Sequence, residues 1–232
     1  MELNAGVRYL ENGLKTSLKA MQVQSALINI ANDNVTGFDK IGYQRKEAVV
    51  SSFTEYLGTD GVSTTVDDKV GRLANSGNPL DLALATQGYF QAQCAEGVKL
   101  TRDGRFKLDK DGNLLTLENL KVLADNGSPI KLHVIPQNLK DIVVNAKGGV
   151  SVFNKKTNKL EHVATIGVVD ASGAVLISPE VKQGYNEYSN VSLEREFMGM
   201  MAPIRGFDAN RQIFIIESTN LSKAISQLGS AN

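Results

Sequence analysis

The sequence predicts an α+β chain: long N- and C-terminal helices forming a coiled-coil domain, with an all-β domain inserted between them. Three observations carry this reading. Apolar residues near the N-terminus recur at alternating steps of four and three. The same rhythm returns, more strongly, from Leu193 onward. Between the two, the period changes to two, and Asp-Gly, Asn-Gly and Gly-Gly pairs punctuate short runs. The expected domains are 1–36, an N-terminal coiled-coil helix; 37–74, an extended linker or hairpin; 75–184, the β domain; and 185–232, a C-terminal coiled-coil helix.

The first helix is expected over about Leu3 to Asn32. Its seam runs through Leu3, Val7, Leu10, Leu14, Met21 and Ile28, with Ser17 and Gln24 interrupting it. The turn-forming run NDNVTG follows, and Asn32, Asn34, Thr36 and Gly37 are read as a joint between helix and linker. Asn and Gly tolerate left-handed backbone angles, and if Gly37 adopts one, Gly37→Val is expected to harm assembly more than monomer stability. Residues 46–74 are polar and read as an extended linker or long hairpin.

Short alternating or β-branched runs, such as GYFQAQ, GVSVFN and ATIGVVD, then build the β domain. Within it, Lys107–Glu118 nearly spells a calcium loop, with Asp109, Asp111, Gly112 and Glu118 in order. Lys107 stands where the first carboxylate ligand is required, and the flanks alternate as strands. The stretch is therefore read as two β turns, at Asp103-Gly104 and Asp111-Gly112. His133 and His162 lack partners at ligand spacing, and Asp81 after Asn78-Pro79 is read as shaping the turn that opens the domain. No phosphate-cradling loop or nucleophile elbow is present in the sequence. No enzyme activity, catalytic residue, metal or cofactor is expected.

The last helix has its seam at Leu193, Phe197, Met200, Ile204, Phe207, Phe214, Leu221, Ile225 and Leu228, broken by Arg211 and Ser218. Ser189 or Asn190 is expected to cap it, and Glu194 and Glu196 suit its first turns. Pro203 predicts either a kink or a start after Ala202. A compact β insert brings the two helices together, so they can pair with each other antiparallel or with copies of themselves. Each seam is narrow, which makes the named apolar residues of both helices candidates for an assembly interface.

Bulk composition permits a packed fold and points to no charged partner. Of 232 residues, 42% are hydrophobic and 22% charged, which argues against global disorder. Lys and Arg number 25 and Asp and Glu 25, so charge gives no reason to expect nucleic acid. Cys94 is the one cysteine, which excludes an internal disulfide. The N-terminus MELNAGVRYLENGLK lacks a basic start and apolar run, so no cleaved signal peptide is expected. No apolar segment approaches the ~20 residues of a membrane helix, so no membrane insertion is expected either.

Three stretches together resemble the flagellar rod, hook and hook-associated proteins. NIANDNVTGFDKIGYQR is similar to that family's N-terminal signature. GNPLDLALATQGYF with LTRDGRFKLDKDGNLLT resembles the opening of its β domain, and QGYNEYSNVSLEREFMGMMAPIRGFDANRQIF its C-terminal motif. Asp33, Pro203 and Gly206-Phe207 depart from the usual pattern. The resemblance implies a bacterial flagellar axial protein, most like a proximal rod protein of the basal body. It would be exported unfolded through the flagellum's own apparatus, and it would polymerise helically with copies of itself and with other rod and hook proteins. In such a rod, the terminal helices form the inner tube of a shaft that transmits torque, spans the periplasm and encloses the export channel. Alternatives are a distal rod or hook-type subunit, a coiled-coil-tethered β adhesin outside the flagellum, and a wall hydrolase.

Overall fold

The computed structural model describes residues 2–51, 58–136, 138–155 and 157–229, with side chains described from residue 11 to residue 227. A helix, α1 (Glu2–Gly37), comes first and a second, α2 (Leu193–Gly229), comes last, with short strands between them, so the fold is α+β. The chain forms two compact units. One takes residues 1–36, 46–67 and 191–232; the other takes 37–45 and 68–190.

In the helical unit, α1 runs through the whole of NDNVTG to Gly37, further than the expected stop near Asn32. Turn-forming residues end a helix only where nothing else holds it, and here tertiary hydrogen bonds hold it. α2 begins at Leu193. Its cap is Ser192, whose Oγ accepts the Arg195 N–H at 3.4 Å while its carbonyl accepts the Glu196 N–H at 3.0 Å. Ser189 and Asn190 do not cap it; Asn190 instead accepts the Arg45 N–H and donates to the Lys69 carbonyl. The helix passes unbroken through Pro203, which deprives the Gly199 carbonyl of its usual donor. The unit also contains an antiparallel pair, β1 (Lys46–Val50) with β2 (Val62–Val66), in the segment read as linker or hairpin.

In the β unit, strands β3 (Leu73–Asn75), β4 (Leu82–Leu84), β5 (Tyr89–Cys94), β6 (Gly97–Thr101), β7 (Phe106–Leu108), β8 (Leu114–Thr116) and β9 (Lys121–Val122) come first. They are followed by β10 (Ile142–Val144), β11 (Gly149–Asn154), β12 (Lys159–Thr165), β13 (Val168–Val169), β14 (Val181–Gln183) and β15 (Tyr185–Glu187). One sheet is ordered β13-β5-β9-β8-β7 with β6 on the other edge of β5, and a second is β10-β11-β12. The pairs β14-β4 and β15-β3 bring the end of the unit back to its beginning. Leu84, Phe90, Val122, Ile130, Ile166 and Val168 fill a single core, where Phe90 meets Phe106 edge to face at 5.2 Å. Gly104 passes so close to the Leu82 carbonyl that any side chain would collide with it. It lies between β6 and β7, which do not pair with each other, and the β turn expected at Asp103-Gly104 does not form.

Five hairpin turns of the β unit share one backbone. They begin at Asp109, Thr116, Ala124, Asn145 and Asp170. In each, the first residue's N–H donates to the carbonyl four residues on, its own carbonyl accepts the N–H three residues on, and that third residue has positive φ. Gly fills the strained position in four of them (Gly112, Gly127, Gly148 and Gly173), and Asn119 fills it in the other. Asp109, Asn145 and Asp170 also accept two further N–H groups on a side-chain oxygen. The near-calcium spelling is thus a hairpin turn whose Asp109 carboxylate is occupied by the Asp111 and Asn113 N–H groups and the Asn113 amide.

Arg102 and Glu187 are buried at the heart of this unit, 2% and 3% exposed. The guanidinium is bidentate on the carboxylate, at 2.9 Å from Nε to Oε1 and 2.7 Å from Nη2 to Oε2. Its other donors reach the carbonyls of Leu84, Thr86 and Gly88. Glu187 also accepts the Gly71 N–H, and its carbonyl accepts that of Gly42. The pair ties five separate stretches of chain together, around Gly42, Gly71, Leu84–Gly88, Arg102 and Glu187.

Candidate assembly surface

The two helices of the helical unit run antiparallel in a steady register. A side chain at Gly13 would collide with the Glu217 carboxylate, a Cβ at Gly206 would lie 3.1 Å from Gln24 Nε2, and Asn34 bonds Glu196 at 3.0 Å. Moving 11 and then 10 residues up α1, from Gly13 to Gln24 to Asn34, moves 11 and then 10 back along α2. Equal steps on both helices are the signature of aligned packing along their length.

Asn34 forms the base of this pair and is fully buried. Its Oδ1 accepts the Lys46 N–H and its Nδ2 donates to the Lys46 carbonyl, both at 2.8 Å. Both amide groups thus pair with one backbone residue, as a neighbouring strand would. The same Nδ2 donates to Glu196 Oε2. Glu196 is 4% exposed, so an acid read from sequence as suiting the helix's first turns is also an interior hydrogen-bond acceptor. Asp33 and Lys46, and Glu47 and Arg195, add exposed ion pairs at 3.0 and 3.1 Å around this knot; such pairs contribute little.

The seam residues of α2 divide between two rows. Leu193, Met200, Phe207, Phe214 and Leu221 are half-buried and lie in the inward row. The same row also takes Glu196, Pro203, Asn210, Glu217 and Ala224, so at three places it takes the residue before an expected apolar one, Phe197, Ile204 or Ile225. Phe197, Ile204 and Ile225 are consequently exposed, at 54%, 45% and 60%; Met201, Ile215 and Ile216 are exposed too, with the exposed Asp208 and Arg211 between Ile204 and Ile215. On α1, Leu14, Met21 and Ile28 are half-buried, while Ser17 and Ala31 are buried. Its outward side is mostly polar, with Lys15, Gln22, Ser25, Asn29 and Asn32 exposed. Leu3, Val7, Leu10 and Leu228 have side chains outside the described residues.

The joint residues do different things. The Asn32 carbonyl accepts the Thr36 hydroxyl at 2.8 Å, and both residues are exposed, whereas Asn34 is the buried knot just described. Gly37 is helical and has no positive φ, so the left-handed condition on its role is not met. The reason for glycine is steric: the Tyr43 ring packs where a Cβ would be, within 2.5 Å. Gly42 has the left-handed backbone, at φ 72°, pressed against the backbone of Arg102 and Asp103.

No cluster of three metal-ligating side chains occurs among the described residues. His133 and His162 are both exposed. Asp81 accepts the Asn78 amide at 2.8 Å and closes the turn before β4. Among the described residues, no helix is long and apolar enough to cross a membrane.

Comparison with known proteins finds several similarities. Residues 83–152, from β4 into β11, match the family model described as the flagellar hook protein FlgE/F/G D1 domain. The chain is similar to flagellar basal-body rod protein FlgF of Rhizobium meliloti, 27% identical over 245 residues that cover 95% of this chain and 99% of that protein. It is also 27% identical to flagellar basal-body rod protein FlgG of Bacillus subtilis, with 94% and 98% covered. Against FlgF of Caulobacter vibrioides, the identity is 29% over 203 residues, with 85% and 75% covered.

Proposed function

We infer from these matches that the chain belongs to the flagellar rod and hook protein family and is a structural subunit of the bacterial flagellar basal-body rod. It is not an enzyme; its work is mechanical, and it assembles with other flagellar axial proteins. The observation that carries this reading is similarity to named rod proteins over nearly the whole of both chains.

The finer reading is that the terminal helices act as a coiled coil that polymerises helically, with copies of this chain among its neighbours. The shaft so formed transmits torque and encloses the export channel. The exposed apolar side chains Phe197, Met201 and Ile204 on the outward side of α2, with Ile215 beyond Asp208 and Arg211, support this, because exposed apolar clusters mark interaction surfaces. A helical polymer needs unlike surfaces in contact, and an apolar face on α2 beside a polar one on α1 supplies the asymmetry. The 37–74 segment and modest β domain favour a proximal over a distal place along the rod. Export proceeds through the flagellar apparatus without a cleaved signal peptide, into a rod that spans the periplasm. Residues 32–37 form the joint through which the outer part of each subunit leaves the helical core. The test is immunoblotting of purified basal bodies separated into rod and hook fractions: the chain is expected with the rod, and its presence only in the hook would select the hook-type alternative.

A further inference from the structure

One large apolar side chain of the β unit is left almost wholly bare. Ile177 is 97% exposed, more than any other large apolar side chain among the described residues. The arm that carries it, 174–179, is tied at both ends. The Ala174 N–H donates to the Asp170 carboxylate at 3.0 Å, and the Val181 N–H donates to the Ala146 carbonyl at 2.8 Å. Between these ties the Leu176 N–H donates to the Val168 carbonyl at 2.9 Å, and the Leu176 side chain packs against the core. With Leu176 turned inward, its neighbours Val175 and Ile177 are turned out. An apolar tip held in place by its own backbone has little left to order on binding, as an interface anchor requires.

The same arm forms one wall of a cleft of about 390 Å³, room enough for a large side chain and its neighbours. Ile166 and Val168 are buried among its lining and give it an apolar floor. Lys147 and Asp125 also line it and are exposed, so its rim carries both signs of charge. Tip and cleft share one arm and therefore lie side by side on the surface.

We propose that the β unit pairs with a second copy of itself about a two-fold axis, each Ile177 entering the other's cleft. An adjacent tip and cleft suit this symmetry, because one face-to-face contact covers both tips at once. A rim with both signs is self-complementary in the same arrangement, with Lys147 free to face the partner's Asp125. A two-fold contact closes on itself, so chains paired this way stand outside a helical polymer until they separate. That consequence rests on the function proposed above; the pairing itself does not.

The experiment is sedimentation velocity of the full chain over a concentration series, with Ile177→Asp and Ile204→Asp alongside. Ile204 belongs to the helical unit, so its variant reads association through α2 instead. The wild type should form dimers. Ile177→Asp should fold with an unmoved melt and weaken the dimer by at least about tenfold, as loss of a central anchor does, while Ile204→Asp should leave it unchanged. The contact is read directly in a Cys94→Ser background under mild oxidation. Ile177→Cys chains should form disulfides with His162→Cys chains, whose residue 162 lines the cleft, and not with Lys121→Cys chains. A wild type that stays monomeric across the series would overturn the proposal. So would a dimer weakened by Ile204→Asp as much as by Ile177→Asp, or no link between positions 177 and 162. Failure of the rod assignment would leave these results as they are.

Discussion

Asn34 and Glu196 stand 162 positions apart in the chain and meet side chain to side chain at 3.0 Å, both removed from solvent. The contact joins the last turns of α1 to the first turn of α2, and Asn34 pins the start of β1 in the same stroke. Asn34→Leu should therefore disorder the base of the helix pair. It strips partners from a buried carboxylate and from a backbone N–H and carbonyl together, a loss of about 2–3 kcal/mol. Hydrogen exchange across 28–36 and 196–202 should quicken while the β unit's melt stays where it was. A melt shift confined to the β unit would contradict the assignment.

At Gly37 the expected effect follows from Tyr43. A methyl there meets the ring, so Gly37→Ala should already destabilise, by about 1–3 kcal/mol as overpacking does. Pairing it with Tyr43→Ala should recover part of the loss, because the ring that collides is gone. Denaturant titration of the two single variants and the double variant measures the coupling. Simple additivity would show that the ring is not what requires glycine.

Removing one member of the Arg102–Glu187 pair leaves a buried charge alone. Arg102→Met or Glu187→Gln should cost the β unit about 3–5 kcal/mol. The double variant Arg102→Met/Glu187→Met should be less harmful than Arg102→Met, since no orphan charge remains. Urea midpoints of the β unit's transition test this, and equal midpoints for Arg102→Met and wild type would refute it.

Acid should loosen two of the hairpin turns. Asp109 is held below the usual carboxylate range, first by the Asn113 amide and then by backbone N–H groups. Asp170 is lowered in the same way, with the Ser172 hydroxyl first. A depressed folded pKa contributes stability that is fully present above the unfolded value of about 3.9 and is lost as pH falls through the folded one. Asp109→Asn and Asp170→Asn should keep the turn, as Asn145 does in its own copy of it, but remove this pH dependence. Urea midpoints of wild type and variants should converge as pH drops from about 6 to about 2. A constant gap across that range would rule out the carboxylates as the cause.

What could be read in the sequence was local. The four-and-three spacing of Leu14, Met21, Phe207 and Phe214 is a property of one helix, and so are the Gly residues at the positive-φ places of Asp111-Gly112 and Asn126-Gly127 properties of one turn. Both survive into the structure because nothing distant competes with them. The second row of α2 differs from expectation because hydrophobicity selects Phe197 and Ile204, whereas the packing turns Glu196 and Pro203 inward. Only the partner helix decides between rows one residue apart. Arg102–Glu187 and Asn34–Glu196 have no sequence signal beyond a charged or amide residue inside an otherwise apolar setting, because the chain must fold before either pair meets. The cap falls to Ser192 over Ser189 and Asn190 because strand β15 and its hydrogen bonds hold the chain out of the helix up to that point.

The central claim is that the outward apolar row of α2 joins the chain to its neighbours in the rod. The most direct measurement is the amount of this chain in basal bodies purified from a strain carrying Ile204→Asp, compared with wild type. Ile204 is 45% exposed, so the charge should leave the isolated chain folded with an unmoved melt. Burying an unpaired carboxylate at each repeat of an interface costs several kcal/mol per copy. The predicted result is a folded protein present in the cell and missing from the basal bodies. Wild-type amounts of Ile204→Asp in intact rods would contradict it.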